Sequence, residues 1–142
     1  MVLAPEEKIK IARYLRLADG LMQTVPISAF ASEYEIRNSG SRLYYAFFHA
    51  SLAYLISVGA DIERVSRDHG EVHAAIRAWR GRIFGSFLER LYRHRKLCDY
   101  DPTMFEREYG REIEKARGDC KERIKDAKKS FYPMYHQARK AL

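Results

Sequence analysis

With 142 residues the chain is long enough for one compact domain with a core that folds without disulfide or metal staples, and short for two. Its 46% hydrophobic, 13% aromatic and 32% charged residues, with only 8 Gly and 4 Pro, exclude disordered and low-complexity classes. The net charge of +7 favours polyanionic partners such as nucleic acid, acidic lipid or an acidic protein without choosing among them, and plain solubility accounts for it equally well.

Taken in chain order, the segments carry helical period and none shows sustained strand alternation. The N-terminus, MVLAPEEKIKIAR, has no basic stretch leading into an apolar run, so no signal peptide is read and a cytoplasmic protein is expected. Helix 1 is predicted from Pro5 to Thr24. Pro5 suits a first turn, Glu6 and Glu7 its positive end, and Pro26 stops it. Helix 2 should open at Ser32 through a capping-box pattern and run to Val58, with Gly59 as a left-handed stop and Asn38-Ser39-Gly40 as a candidate break. Its stretch from Leu43 to Ala60 carries no formal charge and reaches the length of a membrane span. Tyr44, Tyr45, His49, Ser51, Tyr54 and Ser57 would need partners in lipid, so a buried bundle centre is the reading taken.

Asp68-His69-Gly70-Glu71 repeats the capping pattern and opens helix 3, with the stripe Ile76, Trp79, Ile83, Phe87 and Leu91, which Gly81 and Gly85 can split. Asp101-Pro102 caps and starts helix 4, whose narrow seam runs Tyr109, Ile113, Ala116, Cys120, Ile124, Ala127 and Phe131. Pro133 is expected to kink or end it. The fold class is therefore all-α, an up-down bundle of four to five helices in a single domain over 1–142, with a core of about 5–131 and 132–142 as a tail or last turn.

Helix 2 carries the most informative segment, SRLYYAFFHA from Ser41 to Ala50. Arg42 and His49 are two turns apart, about 10 Å along the axis, and return to nearly one face with Tyr45 between them. Ala46, Ala50 and Ala53 leave room beside that side for a neighbouring helix or a ligand. The bland alternative is a hydrogen-bonded core histidine and an arginine ion-paired to Glu35 or Asp99.

SRLYYAFFHA resembles the SRxYYAxFHA signature of stand-alone prokaryotic HEPN proteins. His69-Gly70-Glu71-Val72 resembles the segment of that family with a His after the second helix. LYRHRKLCDY, from Leu91 to Tyr100, resembles its LYxxRxxADY segment, with Cys98 where Ala is usual. The resemblance spans about Ile9 to Phe131. It implies a helical bundle that works as a homodimer, with an Arg-x4–6-His motif at the two-fold interface. Active members are metal-independent ribonucleases of toxin or defence type. Others bind nucleotide or RNA without cutting and partner a separate minimal nucleotidyltransferase. Arg42-x6-His49 fits the longest spacing of the motif, whereas Leu43 stands where the ribonuclease pattern has a polar residue.

RNA brings its own nucleophile, the 2′-hydroxyl. A proton carrier near neutral pH and a cation for the phosphorane suffice, so His49 is assigned as general base or acid, Arg42 as the charge-stabilising group and Tyr45 as the orienting group. The stretch from 77 to 96 holds Arg77, Arg80, Arg82, Arg90, Arg93, Arg95 and Lys96 against the single acid Glu89. Within it Arg90, Arg93, Arg95 and Lys96 are the candidate nucleic-acid or nucleotide contacts. Tyr100 is assigned to base stacking, Ser41 is counted with them, and Trp79 is better placed in the core.

His69 and His73, four apart, have metal-pair spacing without a third ligand, so caps or surface positions are expected and no metal or cofactor is assigned. Cys98 and Cys120 lie 22 positions apart and read as reduced thiols. No Walker loop, dinucleotide fingerprint, nucleophile elbow or catalytic carboxylate pair occurs.

Overall fold

The computed structural model describes residues 2–63, 68–100 and 102–142. Among them every regular element is a helix: α1 (Pro5–Gln23), α2 (Glu33–Ser57), α3 (His69–Arg80), α4 (Arg82–Tyr100), α5 (Pro102–Tyr109) and α6 (Ile113–Arg139).

Local chemistry sets the bounds. Ser32 Oγ accepts from the Glu35 amide at 3.2 Å and Asp68 Oδ1 from the Glu71 amide at 3.0 Å, so the predicted N-caps of α2 and α3 form. α2 passes unbroken through Gly40, whose role is close approach: a Cβ there would stand 2.8 Å from Cys98 Sγ and 3.0 Å from the His94 ring. The predicted third helix is two, parted at Gly81, where φ is +113°. The predicted long fourth helix is also two, because Gly110 takes φ +56° and turns the chain between α5 and α6. The predicted cap residue Asp101 lies outside the described residues. Pro133 neither ends nor truncates α6. It stands on an exposed side, where water can serve the carbonyl that loses its donor, so residues 132–139 are helix.

α2 is the centre of the bundle. It packs against α1, α4 and α6 and, more lightly, α3. Leu43, Tyr44, Phe47, Leu52 and Leu55 are fully buried, and Phe47 meets Phe87 and Phe131 at ring-centre distances of 5.3 and 6.4 Å. The α6 seam is buried as its period requires, at Ala116, Cys120, Ile124, Ala127 and Phe131, and it continues through Met134 and Ala138. The stripe predicted for helix 3 fails at the corner. Trp79 is 52% and Ile83 80% exposed, because the turn at Gly81 carries both away from the face that buries Ile76 and Leu91. No described helix is long and apolar enough to cross a membrane.

Candidate functional site

Within α2 the segment from Ser41 to His49 points to two different surroundings. Tyr44 goes inward, whereas Arg42, Tyr45 and His49 follow the adjoining side of the helix and reach solvent to different degrees. Arg42 is exposed, Tyr45 and His49 half-buried. Among the described residues Arg42 makes no ion pair or hydrogen bond; the partners anticipated for it, Glu35 and Asp99, do not take that role.

Asp99 is occupied elsewhere. Its Oδ2 accepts from Ser41 Oγ at 3.1 Å and from Arg95 Nη1 at 3.3 Å, and the same Nη1 donates to Tyr45 Oη at 3.0 Å. This chain ties α2 to α4 and fixes the Tyr45 ring. The Arg95 guanidinium lies 5.2–5.6 Å from the ring centres of Tyr92, Tyr45 and Tyr44, a cation–π cradle at 5% exposure. Arg95 thus braces the site from within rather than offering its charge to solvent, and Ser41 is engaged in the same network.

The remaining predicted contacts scatter. Lys96 is exposed, with Nζ 4.5 Å over Tyr92 on the α2 side of α4, and Arg93 is exposed. Arg90 faces the other way. It lies 5.5 Å over Phe87 and, with Asp119, Glu122, Arg123 and Asp126, lines a cavity of about 370 Å³ between α4 and α6. The side chain of Tyr100 lies outside the described residues.

His49 is held by rings. Tyr14 of α1 stacks on it at 5.8 Å and 18°, and Tyr45 lies at 6.3 Å and 30°. Its Nδ1 is buried and meets no hydrogen-bond partner among the described residues. Burial lowers its pKa, which favours the neutral imidazole at pH 7. Any proton that His49 gives or takes therefore passes through Nε2.

Next to this face, and missed by sequence reasoning, Tyr44 Oη meets both His69 Nδ1 at 2.6 Å and His73 Nε2 at 3.0 Å. A phenol has one proton, so one ring nitrogen accepts it while the other presents an N–H. Burial drives the tyrosine pKa up and that of His73 down to about 4. His69 is lowered by burial and then by the Arg95 charge. The two histidines expected as caps or surface groups are thus internal partners of one buried tyrosine. No group of three or more His, Cys, Asp or Glu is gathered for a metal among the described residues.

A third histidine, His94, accepts from Arg123 Nη1 at 3.0 Å and touches Cys98 Sγ at 3.4 Å. Burial and then Arg123 push its pKa down to about 3, and burial pushes the Cys98 thiol up to about 12. Both cysteines are free, and this one is a protonated packing group against Gly40.

The spacing of His69 and His73 and the resemblance of the segments holding Tyr44 and His69 pointed to these residues singly, but nothing in the sequence joined them into one cluster or tied Tyr14 to His49. No family model, curated protein or solved structure matches the chain.

Proposed function

We propose that the chain is a HEPN-type domain that acts as a homodimer, takes RNA on the Arg42–Tyr45–His49 face of α2, and cuts it without a metal ion. The observation that carries this reading is unused hydrogen-bonding capacity. Arg42 and His49 lie two turns apart on one continuous helix and neither makes a hydrogen bond to another described residue, while Tyr44, Arg95, Asp99 and Ser41 around them do. A free guanidinium and an imidazole kept neutral are the two groups that phosphodiester transesterification needs.

In the reaction the ribose 2′-oxygen attacks the adjacent phosphorus as its proton passes to His49 Nε2. Arg42 opposes the negative charge that grows on the phosphate oxygens. The P–O5′ bond breaks, and the departing oxygen takes a proton from water or from a second imidazole brought up by the two-fold axis. The products are a 2′,3′-cyclic phosphate and a 5′-hydroxyl. Tyr45, pinned by Arg95, is placed to orient the phosphate between the two. A toxin- or defence-like role accords with such an activity.

A second reading is a non-catalytic RNA- or nucleotide-binding module that partners a minimal nucleotidyltransferase. Two observations favour it. Leu43 is 1% exposed, so the position after Arg42 puts no polar group on the face. Among the described residues His49 Nδ1 has no acceptor or donor to fix its tautomer.

Incubating purified protein with RNA in EDTA separates the two. Cleavage by wild type to cyclic-phosphate ends, lost in His49→Ala and Arg42→Ala, supports the ribonuclease. Salt-sensitive binding with cleavage no greater than that of His49→Ala leaves the binding module. Absence of both binding and cleavage removes both.

A further inference from the structure

Beside His49 the surface opens into a groove of about 280 Å³ between α1 and the segment after α2. Its apolar wall is Tyr14, Leu17 and Ile62, and its rim is Lys10, Arg13 and Glu63. Tyr14 belongs to both places: its ring lines the groove and stacks on the imidazole of His49. Leu17 is 51% exposed for no reason that packing supplies. Lys10 and Glu63 close one side through a 2.8 Å ion pair, while Arg13 is exposed and has no ion pair among the described residues.

We infer that this groove is a nucleobase subsite, holding the base next to the phosphate that lies on the Arg42–His49 face; the inference rests on the RNA reading of that face. Three features select a base over other occupants. The volume suits one flat ring system. An aromatic ring with a free cation beside it is how single-stranded nucleic acid is held without sequence readout. Continuity through Tyr14 sets the groove beside the imidazole, so ring and phosphate of one nucleotide are served by adjoining surfaces.

Among the described residues the groove offers an apolar wall and, at its rim, Arg13 and a Lys10–Glu63 pair whose charges are spent on each other. It therefore distinguishes a base from no base, and not one base from another.

The test uses two fluorescein-labelled 2′-O-methyl oligoribonucleotides of equal length and charge, hexauridylate and its abasic counterpart, which lack the 2′-hydroxyl nucleophile and so cannot be cut, with fluorescence anisotropy at several salt concentrations. Wild type is expected to prefer the base-bearing strand roughly tenfold. Leu17→Asp, which changes an exposed side chain, and Tyr14→Ala should bring the two strands to within about twofold of each other. Tyr14→Phe should keep the preference, and Arg42→Ala should weaken both strands alike. Equal binding of both strands by wild type, with steep salt dependence, overturns the subsite and leaves the RNA face standing. A preference that persists in Leu17→Asp and Tyr14→Ala also overturns it. If Leu17→Asp then sediments as a smaller species than wild type, the groove covers a second copy of the chain. Failure of wild type to bind either strand removes the RNA reading itself, and the subsite with it.

Discussion

Tyr44 and Tyr45 are neighbours in sequence, their rings 5.4 Å apart with Arg95 against both, and yet they differ in what lies beyond that shared contact. Tyr44 is fully buried, and its hydroxyl is engaged by two histidines of α3. Tyr45 is half-buried and held by Arg95, beside a histidine whose Nδ1 has no hydrogen-bond partner among the described residues and an arginine open to solvent. Both neighbourhoods contain the residue types that chemistry uses. What separates them is whether hydrogen-bonding capacity is taken up inside the fold. A satisfied polar cluster fixes packing, and an unsatisfied one beside solvent is where a ligand gains the most.

The comparison can be broken most forcefully with acid. His73 has a pKa near 4 in the fold against 6.5 when free. Between those values the unfolded chain binds a proton that the folded chain does not. The contribution of His73 is thus complete above pH 6.5 and is lost as pH falls to 4, on the order of 3 kcal/mol. Urea unfolding at pH 7, 5.5 and 4.5 should show this decline, and His73→Gln should make it shallower without abolishing it, because burial also holds the pKa of His94 down to about 3 and those of His49 and His69 below the usual value. An unchanged slope in that variant would mean that the Tyr44 cluster does not seal His73.

Removing the phenol is the next largest perturbation. Tyr44→Phe strands two ring nitrogens and should cost about 1–3 kcal/mol in thermal or urea unfolding, with RNA binding unaltered once folded protein is compared. A smaller effect of opposite sign is expected across the boundary. His49→Phe keeps a ring between Tyr14 and Tyr45 and removes an unpartnered nitrogen, so stability should hold or rise by up to about 1 kcal/mol while RNA cleavage disappears. Loss of stability in that variant would place His49 with the structural cluster.

The smallest folding effect belongs to Arg42→Ala, within about 0.5 kcal/mol. Its readout is in binding: the slope of log affinity for RNA against log salt should fall by about 1.

Much of the fold was legible because local signals agreed with the final structure. Ser32 and Asp68 cap where their sequences predict, and the α6 seam keeps its period from Ala116 to Phe131. The misread joints between helices have one cause. Hydrophobic period runs on through a glycine that the backbone uses to turn, so Gly110 hid the joint between α5 and α6, and the corner at Gly81 put Trp79 and Ile83 in solvent. At the site, the shared face of Arg42, Tyr45 and His49 follows from helical spacing alone. The inward turn of Arg95, the stacking of Tyr14 on His49 and the convergence of His69 and His73 on Tyr44 need the packing of separate helices, which no local pattern encodes.

Gly81 and Gly40 are glycines for unlike reasons. A side chain at 40 has no space, whereas at 81 nothing lies within 4 Å and only handedness forbids one. A D-alanine introduced at 81 by chemical synthesis would find the corner between α3 and α4 already in its preferred conformation. It should stiffen that corner where L-alanine strains it, making the joint a matter of stereochemistry alone.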